Sequence, residues 1–343
     1  MSIRIKNALY TIILLVVAFV VWYVRKSDSS ENQNQVIAGR TMGTTYKIIY
    51  CGSENETLGN SIDSLLRVFN SSLSTYDPNS EISIFNTHDS LTFSLPYFLP
   101  VLEKSREIVM LTEGAFDPTV MPLVRIWGFG PDDLMLPDSV DVDSVMNYVG
   151  FEKIDFNKDY VRKKENGVQL DFSAIAKGYA VDVVSEFISG KGYQNYFVEI
   201  GGEVVAKGLN EEKSLPWKIG ITDPESDKLD VRLFGTLILK DKAIATSGNY
   251  FNYYIVDGKK YSHTLNPKTG YPVRREILSA SVITNNCMTA DALATAFMVI
   301  GYEKAISIIE SEPELEGIIL YSGKNGKIEH YVSRGLLKDF EKI

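Results

Sequence analysis

Residues 289–301, Thr-Ala-Asp-Ala-Leu-Ala-Thr-Ala-Phe-Met-Val-Ile-Gly, constrain this chain more than any other stretch. Alanine and leucine dominate it, Gly301 supplies a C-terminal stop and Thr289 is placed to cap its start, so it reads as a helix. Asp291 and Thr295 are four residues apart, which stacks their side chains on one face. A carboxylate and a hydroxyl arranged in this way beside a helix N-terminus present oxygens to a hard cation such as Mg²⁺. A structural role satisfies the same residues: an aspartate in the first turn favours the helix macrodipole, and a threonine bonds back to a carbonyl.

The chain has 343 residues, 45% of them hydrophobic, enough for one large core or two tightly joined halves. A formal net charge of -9, with no Lys/Arg run long enough to offset it, argues against a nucleic-acid partner. Cys51 and Cys287 give neither zinc spacing nor a Cys-x-x-Cys pair, and form at most one disulfide. With only His88, His263 and His330 present, a histidine-rich metal site is excluded. At the N-terminus, Arg4 and Lys6 precede the uncharged run 8–24, which ends in Trp22, Tyr23 and the basic pair Arg25–Lys26. That run sits at the lower edge of what spans a bilayer, and no small-x-small cleavage site or lipid-accepting cysteine follows it. It reads as an uncleaved signal anchor with interfacial aromatics, the globular part lying outside the cytoplasm.

Residues 27–35 are polar and read as a tether. A strand is expected at 42–51. Leu58, Ile62, Leu65, Leu66, Phe69 and Leu73 trace one face of an amphipathic helix, which Pro78 follows. A second helix is expected at 97–111, an acidic surface excursion at 131–149, and a strand at 167–172 running into a helix at 174–189. Strands are then expected at 196–200, 217–221, 231–239, 243–246 and 279–284. Hairpins are expected between 250–256 and 260–263 and between 318–321 and 327–332, with a helix at 302–311. Helices and strands mix without strict alternation, which points to an α+β fold: a single large mixed domain rich in antiparallel sheet.

Four segments join glycine to functional side chains at element boundaries. They are Met42-Gly-Thr-Thr45, Leu170-Asp-Phe-Ser-Ala-Ile-Ala-Lys-Gly-Tyr-Ala-Val-Asp182, Ser262-His-Thr-Leu-Asn-Pro-Lys-Thr-Gly-Tyr-Pro272 and the opening helix. In the second, Asp171, Ala174 and Lys177 stand at a strand-to-helix junction, where free N–H groups favour anions. Each has a plain alternative: Asp171 as an N-cap, Lys177 as a solvated charge, His263 as a surface histidine and Met42 as core. No Walker or Rossmann glycine pattern is present. The residues support a Mg²⁺–anion site for a phosphorylated ligand and do not name a reaction.

These segments, with Ser74-Thr-Tyr-Asp-Pro78, Gly114-Ala-Phe-Asp-Pro-Thr-Val120 and Ala245-Thr-Ser-Gly-Asn-Tyr250, resemble in order the ApbE family of bacterial envelope flavin transferases. The resemblance runs from about Thr41 to Gly301. It implies an FAD:protein FMN transferase: Mg²⁺-dependent cleavage of FAD, transfer of FMN to a threonine of an acceptor flavoprotein, and release of AMP. It places the metal between Asp291, Thr295 and the main-chain oxygen of Ala174. It sets FAD against Met42, Tyr76, Ala115, Phe116, Asp117, Asp171, Lys177 and Leu265, with His263 as the base. The chain departs from the family's pattern at Ala294, where some members carry a carboxylate, at Glu203 after Gly201–Gly202, and in lacking a lipid-accepting cysteine. The implied organisation is an anchor over 1–26, a polar linker over 27–38 and a catalytic domain over 39–343. The chain would thus sit in the cell inner membrane with its catalytic domain facing the periplasm. A Mg²⁺-dependent FAD pyrophosphatase and a non-catalytic FAD-binding protein are the alternatives.

Overall fold

The computed structural model describes residues 12, 14–20, 34–129, 139–226, 230–248, 253–256, 259–262, 264–273, 277–323 and 325–343. Its centre is an eight-stranded sheet whose spatial order follows the chain. The strands are β1 (Asn34–Thr41), β2 (Thr44–Cys51), β3 (Tyr196–Ile200), β4 (Glu203–Lys207), β5 (Lys242–Gly248), β6 (Ile277–Thr284), β7 (Glu316–Ser322) and β8 (Ile328–Val332). Every neighbouring pair is antiparallel. Helices cover one face, chiefly α1 (Glu56–Leu73), α2 (Phe98–Leu111), α3 (Ala176–Gly190) and α4 (Cys287–Ile300). A smaller antiparallel sheet built on Leu215–Thr222, Leu233–Leu239 and Phe340–Lys342 covers the other.

The central strands are therefore apolar on both faces, and successive side chains enter different cores. In β5, Ala243 and Ala245 join the helix-side core while Ile244 points to the small sheet; in β7, Ile319 faces the helices and Ile318 and Leu320 the small sheet. Helix α4 lies on β5 and β6 and is buried nearly all round, from Cys287 through Met298. A helix with no broad solvent-facing side is held by its surroundings rather than by propensity. A third apolar cluster around Leu123, Trp127, Val142 and Leu265 lies apart from both cores.

Several expectations need correction. The expected linker 27–38 gives way at Asn34 to β1, because residues 34–41 pair in register with β2 through a two-residue turn. That turn places Met42 (φ 50°) and Gly43 (φ 74°) in the left-handed region, as a tight hairpin requires. The expected strand 167–172 is absent: regular pairing stops at Lys163, and Asn86 binds Leu170 through both its side-chain amide groups instead. Helix α3 starts at Ala176 rather than 174, since Ile175 and Ala176 both donate to the Phe172 carbonyl in a preceding turn. Within the expected excursion 131–149, Ser139–Met146 is helical and Val142 packs in the third cluster, while 131–138 lie outside the described residues. Asn286, not Thr289, caps α4 by accepting the Thr289 N–H at 2.9 Å. The cysteines are free and buried. Most of the expected anchor lies outside the described residues. Residues 14–20 are helical and exposed, and no helix among the described residues is long and apolar enough to cross a membrane.

The contact that sets the helix layer is the approach of α3 to α4 at Gly178. A Cβ there would stand 2.2 Å from the Cys287 carbonyl oxygen and 2.7 Å from the Asp291 Cβ. One turn later Asp182 closes the N-terminus of α4, its two carboxylate oxygens accepting the N–H groups of Cys287 and Met288 at 2.8 Å each. Gly178→Ala is expected to lower stability by about 1–3 kcal/mol or more, because backbone cannot yield as a side chain does. Gly190→Ala, which meets nothing within 4 Å, should be neutral or stabilising by up to about 1 kcal/mol. Urea unfolding of the two variants checks the contrast.

Candidate functional site

A cavity of about 720 Å³ opens where the N-terminal ends of α3 and α4 meet the β1–β2 turn, the Gly201–Gly202 turn, the end of β5 and the small sheet. Its size suits a drug- to dinucleotide-sized ligand. Asp291 and Thr295 line it from α4, one turn apart on the same face. Asp291 is only 3% exposed. Its Oδ2 accepts the Gly178 N–H at 2.9 Å, while Oδ1 lies 3.9 Å from Lys177 Nζ. The Thr295 hydroxyl meets the Ser247 hydroxyl of β5 at 2.9 Å.

Ala174 reaches the cavity from the turn before α3. In a regular helix the Gly178 N–H would bond the carbonyl four residues back, that of Ala174. Here it goes to Asp291, and among the described residues no backbone N–H bonds the Ala174 carbonyl. A carboxylate oxygen, a hydroxyl and an unclaimed carbonyl make an all-oxygen donor set, which fits Mg²⁺ rather than a softer metal. Among the described residues no group of three or more His, Cys, Asp or Glu side chains could hold a metal. The set therefore suits an ion that keeps waters and ligand phosphates in its remaining positions.

Met42, Ala115, Phe116, Asp117, Asp171, Lys177 and Leu265 also line this cavity. Two of the carboxylates serve the loops that carry them. Asp117 accepts from Thr119 N–H and Oγ1 and from Phe151 N–H, at 2.6 to 2.9 Å. Asp171 accepts from Ser173 N–H and Oγ, both at 2.9 Å. Burial raises both carboxyls above the usual range, and those hydrogen bonds pull them back. Leu265 bridges to Pro272 and belongs to both the cavity wall and the third apolar cluster. Tyr76 is not brought in: it sits 72% exposed on the turn after α1 and does not line the cavity. His263 lies outside the described residues, although Thr264 and Leu265 directly after it line the wall.

Glu203 and Ser247 complete the site without having been picked out as ligands. Glu203, the first residue of β4, pairs with Lys177 at 2.5 Å while its Oε2 is buried without a partner. Burial raises the Glu203 carboxyl, and the neighbouring Lys177 ammonium pulls it back toward the charged form. Burial opposes the charge on Lys177, but Asp291 and then Glu203 outweigh it and hold the ammonium protonated. The signals for these two residues were the polar side chains directly after Gly201–Gly202 and within Ala245-Thr-Ser-Gly248.

The fold and the cavity define a mixed α+β protein with a small-molecule-sized site lined by oxygen donors and one described lysine. A family model described as the ApbE family matches residues 42–319. The chain belongs to the ApbE family. An FAD:protein FMN transferase of Vibrio cholerae is 41% identical over 288 residues, covering 80% of this chain and 84% of that protein. One from Escherichia coli K12 is 32% identical over 293 residues, covering 81% of each. Among solved structures, the flavin transferase ApbE of Vibrio cholerae superposes with a TM-score of 0.79 at 37% identity, covering 88% of this chain and 97% of that one. The ApbE protein of Thermotoga maritima gives 0.77 at 30%, covering 88% and 98%.

Asp182 supplies a pH test of this scaffold. Burial, opposed by the Cys287 and Met288 N–H groups, raises its carboxyl from 3.8 to about 7. The folded state thus binds more protons than the unfolded one between those values, and stability falls as pH rises through that window. Measured by urea unfolding, the stability of the wild type relative to Asp182→Asn should decline from pH 4 to about 7 and be level above it. A difference independent of pH would contradict the assignment.

Proposed function

We propose that this chain is an FAD:protein FMN transferase that uses Mg²⁺ to cleave FAD and attaches FMN to a threonine hydroxyl of an acceptor flavoprotein, releasing AMP. One observation carries the reading beyond family membership: the donor set of Asp291, Thr295 and Ala174 shares one cavity with a single basic side chain among the described lining residues. Among the described lining residues Lys177 stands against four carboxylates, Asp117, Asp171, Glu203 and Asp291. A dianionic diphosphate entering such a field requires a cation to offset the repulsion. Mg²⁺ held at the three oxygens would neutralise charge on the diphosphate as its bridging bond breaks.

The remaining work falls to the chain. The acceptor's threonine oxygen bonds to the FMN-side phosphorus, the P–O bond to AMP breaks, and the hydroxyl proton passes to His263. Two features support His263 for this role. It directly precedes wall residues Thr264 and Leu265, and the other two histidines are placed for other tasks. His88 caps a short helix by bonding the Ile84 carbonyl, and His330, in β8 at the edge of the large sheet, packs on Phe234 of the small sheet. Histidine also titrates near working pH. Lys177 orients phosphate oxygens, and the aromatic and apolar wall from Met42 to Leu265 shields the flavin from water. The apolar run 8–24, preceded by Arg4 and Lys6, supports an anchor in the cell inner membrane with the catalytic domain on the periplasmic side.

Incubating the chain with FAD, Mg²⁺ and a flavoprotein acceptor should yield covalent flavin on a threonine and one AMP per label, read by mass spectrometry. Free FMN and AMP without labelling would identify a pyrophosphatase, and FAD retained without AMP a binding protein. Asp291→Ala should reduce turnover by at least about 100-fold, the scale expected when an electrostatic group at the reacting phosphate is lost.

A further inference from the structure

Glu203 is the buried acid of the cavity that the proposed reaction leaves without a task. Its side chain is 4% exposed, it is held by the turn at Gly201 (φ 62°) and Gly202 (φ 104°), and it spends one oxygen on Lys177 and none on the second. Lys177, by contrast, keeps 31% of its side chain open to the cavity and lies between two acids, 2.5 Å from Glu203 and 3.9 Å from Asp291. Its stem runs beside Gly201, where even a Cβ would come within 3.4 Å of its Cδ. The ammonium is therefore tethered at both ends of its reach, and its charge is matched inside the protein before any ligand arrives.

We propose that Glu203 is a positioning residue that keeps the Lys177 charge committed within the protein, so that flavin dinucleotide binds only after a cation has reached Asp291. This rests on the transferase reading and deepens it. With Lys177 neutralised by Glu203, the described lining residues offer an incoming diphosphate no free positive charge and three further carboxylates. A divalent cation beside Asp291 adds two positive charges to the cavity and offsets its carboxylates, so the diphosphate is held by the cation while the exposed part of Lys177 meets its oxygens. Coulomb interactions at such separations are strong in a partly desolvated cavity, so one carboxylate is enough to decide the order of binding. Order matters chemically: FAD seated without its cation would occupy the site with an unactivated diphosphate.

The test compares FAD dissociation constants of the purified full-length chain in EDTA and in excess Mg²⁺, followed by flavin fluorescence. Wild type should bind at least tenfold more tightly with Mg²⁺. Glu203→Gln keeps the shape and the hydrogen-bond acceptor but removes the charge; it should bind FAD at least tenfold more tightly than wild type in EDTA and so shrink the Mg²⁺ dependence. Glu203→Asp, which restores the charge, should recover most of that dependence, and Glu203→Ala, which also removes the charge, takes the place of the glutamine variant with the same expectation if that variant does not fold. A merely structural Glu203 would weaken binding equally in both buffers and leave the ratio unchanged, which would overturn the proposal. Wild type binding FAD equally well in both buffers would also overturn it while leaving the acceptor experiment to judge transfer. Absence of FAD binding in either buffer would remove both readings together.

Discussion

The hydrogen bond from the Gly178 N–H to Asp291 Oδ2 holds the site in place. It exists because residue 178 has no side chain, which lets two helix backbones meet at a distance no Cβ would tolerate. The same bond has two effects. It turns one carboxylate oxygen inward and leaves the other facing the cavity, and it diverts an N–H from the Ala174 carbonyl. A second tie at Asp182 fixes the start of the partner helix, so the face carrying Asp291 and Thr295 cannot rotate away. The strands beneath, with Ser247 holding Thr295, supply the rigid floor on which a binding constellation is precise.

The acids around the cavity do different work despite their shared charge. Asp117 and Asp171 are engaged by hydroxyls and N–H groups of their own loops. They shape the walls and have little left to offer a ligand. Asp291 and Glu203 each keep an oxygen in reserve, one toward the cavity and one buried. Between them Lys177 is the described basic side chain of the wall. That arrangement leaves the described wall of the cavity with more acidic than basic side chains.

Much of this was legible locally. The four-residue spacing of Asp291 and Thr295 puts both on one face wherever the helix lies, because helical periodicity is a property of the segment. The amphipathic run from Leu58 to Leu73 follows from short-range preferences in the same way, whereas Met42 and Gly43, expected within a strand, form the turn before it. The errors lie where a partner distant in sequence decides. β1 exists because β2 pairs with it, and a polar stretch with few apolar residues carries little internal sign of that. Residues 167–172 read as a strand, yet Asn86, far back in the chain, takes the hydrogen bonds a neighbouring strand would have supplied.

Residue order alone thus determined which groups share a face and where glycine permits a sharp turn, since both depend on bond geometry over a few residues. Only the tertiary structure decided that Gly178 would meet Asp291, that Glu203 would find Lys177, that Ser247 would hold Thr295 and that Tyr76 would stay in solvent. Those outcomes depend on how an eight-stranded sheet brings distant segments together. The physical reason is that desolvation and close packing act on whatever becomes adjacent in space, and adjacency across a hundred residues is written in no local pattern.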